Sequence, residues 1–399
     1  MNNKCDILVV IPFFNEEQRL PEILDSIAKS ASNKFKVHLV MVNHQSIDDS
    51  IKIVKEFSSQ FFKLDIIEEN FPIHCGGQPR STGIKKAIEL AENYYLDDSI
   101  PIVTLDADVI VSINFVSEII DKLNNDFEIV SFCERYNSTE FLKFINKQKN
   151  IDLAIKSFVG LNWLRYQILW GLINSGIKET RGPGGYAMRA KTLKQLGHKQ
   201  PFDSDGQPVT GENNRLEIIA NRNNLKVYSS PYYSQVHPRR EIISCNNISQ
   251  KGYSKNNCNA EVFKLARELD NYPVLTDEQI QNYLSAGIKR AIRMVLIRAI
   301  AYDRLNVVKI WFNHPMWYQI IELSTQYVNQ NKPSEEILEV IGNGFYNDMF
   351  NFVMTKIDGA KFESFIKYLE NKIPDNNDLN LWINDQSLII KPDPTFIKL

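Results

Sequence analysis

Pro101-Ile102-Val103-Thr104-Leu105-Asp106-Ala107-Asp108 decides the fold, because an apolar run ends there in two acidic side chains at i and i+2. A nearly continuous apolar run of this length is what a parallel strand covered on both faces requires. The carboxyl end of such a strand opens on the crevice where α/β sheets bind ligands. Two carboxylates placed there supply hard oxygen donors for a divalent cation. A cation there neutralises the charge that develops when a diphosphate leaves. An isolated Asp-x-Asp also reads as a strand end that solvates a turn; the strand in front of Asp106 favours the ligand-binding alternative. A second triplet, Asp203-Ser204-Asp205, has no strand to aim it and reads as a solvated loop between Pro201 and Pro208.

Outward from this point the periods alternate. Ile7 to Ile11 reads as a buried strand and Leu20 to Ala31 as an amphipathic helix. Val37 to Val42 and Leu64 to Glu68 read as strands, and Ile47 to Phe57 and Thr82 to Tyr95 as helices. Strands alternating with helices predict an α/β domain with a mostly parallel sheet flanked by helices. Phe141 to Ile177 reads as helical and aromatic, followed by a loop-rich stretch from Arg181, and residues from about Glu261 onward as helical. The polar stretch Ser244 to Asn259 marks a boundary. The expected organisation is an α/β domain over 1–244, with a nucleotide half at about 1–108 and an acceptor half at about 109–244, and a helical C-terminal region over 260–399.

Composition narrows the function classes. Hydrophobic residues make up 43% and charged residues 24% of 399, with a net charge of −2. These values describe a globular chain with no bulk attraction for nucleic acid. Five cysteines without a C-x-x-C spacing suggest neither a disulfide framework nor a zinc site. No stretch reaches the ~18 to 20 apolar residues of a membrane span, and the apolar run near Met1 is too short for a signal peptide. A cytoplasmic location, at most peripheral to a membrane, is expected.

The segment Val9-Val10-Ile11-Pro12-Phe13-Phe14-Asn15-Glu16-Glu17 places polar groups where the first strand stops. Pro12 lacks a donor and is expected to end the ladder, while Asn15 and Glu16 either face a nucleoside or cap the next helix. Together with Arg80-Ser81-Thr82-Gly83-Ile84-Lys85-Lys86-Ala87, Leu105-Asp106-Ala107-Asp108, and Gly211-Glu212 followed by Leu216, this segment resembles family-2-type glycosyltransferases of the GT-A fold. The resemblance covers about residues 5 to 240. It implies a nucleotide-sugar donor, a hydroxyl-bearing acceptor (saccharide, small molecule or lipid-linked), and Mg²⁺ or Mn²⁺. Pro12, Asn15 and Glu16 are then expected beside the nucleoside, Arg80 near the diphosphate, and Asp106 and Asp108 at ribose, sugar and metal. Arg80 has an independent rationale, since a guanidinium near a helix N-terminus adds donors to a phosphate that the dipole already favours; its alternative is a surface arginine.

Two departures from the family pattern matter. After the second strand the family commonly shows Val-Asp-Asp-Gly-Ser-x-Asp, whereas this chain has Val42-Asn43-His44-Gln45-Ser46-Ile47-Asp48. Asn43 both donates and accepts, unlike a carboxylate, which leaves its base preference open. The family's Glu-Asp pair is here Glu212-Asn213, and an amide is no base. Glu212 becomes the candidate base of an inverting transfer, or else a carboxylate at a helix start, and a retaining transfer stays open. His237, in Val236-His237-Pro238, is either a third metal ligand or structural. Gly182 to Gly185 either allow close backbone approach to a sugar or form a tight turn. Trp163, Tyr166 and Trp170 offer either an acceptor stacking face or core. The stripe Ile288, Ile292, Val295, Leu296 and Ala299, with Lys289, Arg290, Arg293 and Arg304 off it, is either a packing helix or one resting on anionic lipid. The alternatives to transfer are a catalytically degenerate nucleotide-sugar-binding protein and a sugar-phosphate nucleotidyltransferase. Oligomeric state is not legible.

Overall fold

The computed structural model describes residues 4–71, 77–136, 143–159, 161, 185–197, 216, 220, 223–236, 272–284 and 287. Among them, β1 (Ile7–Phe13), β2 (Val37–Asn43), β3 (Lys63–Glu68) and β4 (Pro101–Thr104) are followed by β5 (Val109–Ile110), β6 (Ile129–Tyr136), β7 (Tyr186–Arg189) and β8 (Val227–Val236). They form one sheet in the order β3-β2-β1-β4-β7-β6-β8-β5. The block β3-β2-β1-β4 is parallel throughout, and β6 pairs β8 in parallel. β7 and β5 run the other way. The expected α/β architecture with a mostly parallel sheet is therefore present.

Helices α1 (Leu20–Ala31), α2 (Ser50–Glu56), α3 (Gly77–Glu89) and α4 (Phe115–Asn124) flank it. Two apolar clusters form the core. One joins Ile7, Val9 and Ile11 of β1 to Ile23, Leu24 and Ile27 of α1 and Phe115 and Ile119 of α4. The other joins Leu8 and Val10 of β1 and Val40 of β2 to Ile84 and Ala87 of α3. Alternate residues of β1 thus serve opposite clusters, which is why that strand reads as a continuous apolar run.

Pro12 does not end the ladder as expected, because β1 pairs on through Pro12↔Val42 and Phe13↔Asn43. In a parallel strand, alternate residues address opposite neighbours. The carbonyl of Val10 accepts from Leu105 on the β4 side, and that of Phe13 accepts from His44 on the β2 side. Pro12 follows Val10 by two and so faces the β4 side, beyond the last β4 pairing at Val10. Its missing N–H is the donor the next bond to β4 would need, so pairing stops on that side while it continues with β2.

α3 starts by Gly77, ahead of the Thr82 expected from sequence, with Pro79 in its first turn, where a missing donor is tolerated. It lies on the sheet at Gly83, where a Cβ would meet Val10 Cγ1 at 2.4 Å and Val42 Cγ2 at 2.9 Å. Both neighbours are fully buried. Gly83→Ala is expected to lift the helix and lower stability by about 1–3 kcal/mol, read as a drop in urea midpoint; an unchanged midpoint would contradict the close approach.

At the amino edge of the sheet the imidazole of His38 is buried, with Nδ1 2.8 Å from the Tyr95 hydroxyl and Nε2 3.3 Å from Asp65. Burial holds His38 below its ordinary pKa of 6.5, against the opposing pull of Asp65. Burial also raises the Cys5 thiol, hydrogen-bonded to Tyr95, to about 11. The unfolded chain therefore binds the histidine proton more readily than the folded one. Stability is unaffected by this group above about pH 6.5 and declines as pH falls from there toward the folded value, by at most ~1.4 kcal/mol per pH unit. Urea unfolding at pH 7.5, 6.5 and 5.5 checks this slope, which is expected to flatten in His38→Gln.

The chain divides into two compact units, one of residues 1–137, 178–243 and 254–270 and one of 138–177, 244–253 and 271–399. Residues 138–177 thereby group with C-terminal residues, whereas the sequence places them in the 109–244 stretch. In this second unit Phe144 and Phe158 are fully buried, and Phe158 stacks on Tyr283 at 4.6 Å between centroids. Gln148 ties the two segments, donating to Pro273 O at 3.0 Å and accepting from Leu275 N at 2.8 Å. Among the described residues no helix is long and apolar enough to cross a membrane.

Candidate functional site

The strand order places a switch point between β1 and β4, because β2 lies on one side of β1 and β4 on the other. The carboxyl ends of these strands carry the residues singled out in the sequence. Asp106 and Asp108 follow β4 directly and are 9% and 5% exposed. Arg80, on the first turns of α3, pairs its Nη2 with Asp106 Oδ1, with side chains 8% and 11% exposed. Two residues 26 apart in sequence are thus a buried ion pair. In a charge pair withdrawn from water each group compensates the other's lost hydration, which holds both side chains in place.

β7 begins against the end of β4. Gly185 has φ +97°, and a Cβ there would meet the Thr104 carbonyl at 2.9 Å and Leu105 Cδ2 at 2.5 Å. At this glycine the close approach is to the protein's own backbone, which seats β7 beside the residues leading into Asp106. Gly182, Pro183 and Gly184 lie outside the described residues.

The loops after β1 and β2 are laced together. Asn15, in the left-handed region at φ 52°, accepts from Ile47 N at 2.9 Å, and its own N–H donates to Ser46 Oγ at 2.9 Å. Glu16 N donates to Ser50 Oγ at 2.8 Å, Glu17 N to Asp48 at 3.1 Å, and Asp49 N to Glu17 at 3.0 Å. Asn43 accepts from Ser46 N at 3.0 Å. Asn15 therefore fastens the loop after β1 to the loop after β2 rather than capping α1 through its side chain, and the Glu16 carbonyl, accepting from Leu20 N at 2.9 Å, starts that helix. Sequence reasoning did not assign roles to Ser46, Asp48 or Ser50. Their only local signal was a cluster of small polar residues before a helix.

Next to Asn43 in the chain, the ring of His44 lies 5.5 Å from Phe14 and 5.2 Å from Phe71 between centroids. Pro12, Asn15, Glu16, Asn43, Arg80, Asp106 and Asp108 all lie at or just beyond the carboxyl ends of β1, β2 and β4 or on α3 beside them. Among the described residues no cluster of three or more His, Cys, Asp or Glu side chains is arranged to hold a metal. Glu212, Asn213, His237, Asp203, Asp205, Trp163, Tyr166, Trp170 and the basic helix from Ile288 lie outside the described residues.

Fold and site define an α/β domain with a charged crevice at the carboxyl ends of parallel strands, the arrangement of nucleotide-binding sheets. Residues 8–193 match the family model described as Glycosyl transferase family 2. Poly(ribitol-phosphate) beta-glucosyltransferase of Bacillus spizizenii is 30% identical over 81 residues, which is 20% of this chain and 13% of that protein. The chain thus matches about 13% of the length of this curated relative. Among solved structures, Staphylococcus aureus TarS 1–349 in complex with UDP is 15% identical, covering 82% of this chain and 92% of that one at a TM-score of 0.41. The mannosyltransferase PcManGT from Pyrobaculum calidifontis, in complex with GDP-Man and Mn²⁺, is 14% identical, covering 88% and 87% at a TM-score of 0.39.

Proposed function

We propose that the chain transfers a glycosyl unit from a nucleotide-sugar donor to a hydroxyl acceptor, assisted by Mg²⁺ or Mn²⁺. The observation that carries this is the buried pair Asp106 and Asp108 at the end of β4, beside the Arg80 guanidinium, inside the family 2 segment. The donor set suits a hard dication, since such ions are commonly held by one or two carboxylates together with substrate phosphates and need no all-protein cage. Asp108 is the first candidate ligand and Asp106 the second. When bound, the ion neutralises negative charge on the departing diphosphate. Arg80 adds a fixed positive charge on the same side and orients Asp106.

His237 is a proposed further ligand. Val236, the residue bonded to it, pairs with Val109, the residue bonded to Asp108, which supports bringing the two side chains to one place. Glu212 is the proposed base that takes the acceptor proton in an inverting transfer, and Asn15 and Glu16 border the nucleoside. The acceptor is a saccharide, a small molecule or a lipid-linked hydroxyl.

Calorimetry with nucleoside diphosphates, with and without Mn²⁺, paired with a sugar-nucleotide hydrolysis assay, tests the proposal. Metal-dependent binding together with metal-dependent hydrolysis is expected. Binding without any turnover would instead establish a degenerate binding protein, and turnover indifferent to chelator would remove the metal.

A further inference from the structure

A second polar feature lies at the strand ends, away from the acidic pair. Asn43 is the last residue of β2 and is buried. The backbone N–H of Ser46 lies 3.0 Å from its Oδ1. A backbone N–H can only donate, so the atom it meets is the amide oxygen and the orientation of the carboxamide is fixed. The other end of that group, Nδ2, offers donors only. Among the described residues no acceptor takes a hydrogen bond from it.

β2 stands two strands from β4 in the order β2-β1-β4, a separation of ~10 Å at ordinary strand spacing. That span suits a ribose and base extending from a diphosphate held at Asp106, Asp108 and Arg80. The rings of Phe14, His44 and Phe71 add flat faces of the kind on which bases stack.

We propose that Asn43 reads the nucleobase of the donor by donating from Nδ2 to a ring-nitrogen acceptor, which selects cytosine over uracil. This rests on the nucleotide-sugar function proposed above. N3 of cytosine is an acceptor, whereas N3 of uracil carries a hydrogen and donates. Uracil therefore sets one donor against another at this position and loses that bond. A carboxylate at position 43 reverses the match, because it only accepts.

The test is calorimetry on the full chain with Mn²⁺, comparing CDP with UDP for the native protein and for Asn43→Asp. Aspartate keeps an oxygen for the Ser46 N–H, so the loop retains its tie. The native protein is expected to bind CDP about tenfold more tightly than UDP, and the substituted protein to prefer UDP. Equal binding, a native preference for UDP, or a ratio unmoved by the substitution overturns the role of Asn43 while leaving a nucleotide site in place. Binding of GDP or ADP but of neither CDP nor UDP overturns the role of Asn43 and leaves the proposed function, whereas binding of none of the four overturns both. Should Asn43→Asp not fold, the native ratio decides alone.

Discussion

Asp108→Ala is expected to lower metal-dependent turnover by about a hundredfold to a thousandfold, because a cation stabilising a departing diphosphate is worth several kcal/mol of barrier. Asp108 comes after the β4 pairing ends, so its removal breaks no ladder bond, and taking a carboxylate out of a buried position relieves desolvation. The fold is expected to survive. Asp108→Asn keeps the side-chain volume and removes only the charge, and is expected to fail in the same way. Sugar-nucleotide hydrolysis titrated with Mn²⁺, beside thermal melts of the unliganded proteins, separates loss of chemistry from loss of structure. Metal-stimulated hydrolysis retained at native rates in both variants would sink the metal role of this residue.

Arg80→Met carries the largest expected effect on stability. Its partner Asp106, with 11% of its side chain exposed, loses the Arg80 guanidinium, and breaking a buried ion pair from one side costs roughly 3–5 kcal/mol. Removing both charges is far milder than removing one, so Arg80→Met combined with Asp106→Asn is expected to recover most of the loss. Urea unfolding of the single and double variants reads the coupling directly. Turnover is expected to stay low in the double variant even where stability returns, since both groups are proposed to face the diphosphate. Additive stability effects would show that the ion pair contributes no coupling.

Much of the nucleotide half was legible because its signals are local. Ile7 to Ile11 and Val37 to Val42 are apolar at every position but His38, as strands buried on both faces must be, and the structure confirms the burial. The two acids after Leu105 were legible for the same reason. The far half of the sheet was not. β7 is four residues long and β5 two, and each is held by its partners across the sheet more than by its own pattern. Position 38 was misleading in the other direction. A histidine within an apolar strand gives no sign that Tyr95 and Asp65 will satisfy it, because both come from later elements.

The sequence by itself determined that a parallel α/β sheet would present Asp106 and Asp108 at a strand end, since hydrophobic period and strand position are properties of contiguous residues. Only the tertiary structure decided what those acids meet. Arg80 reaches Asp106 because Gly83 lets α3 lie directly on β1 and β2. The Asn43 amide oxygen is held because Ser46 folds back to donate to it. Neither contact has a sequence signature. Each depends on how closely two packed elements approach, and that distance is set by side-chain volumes contributed from several parts of the chain at once.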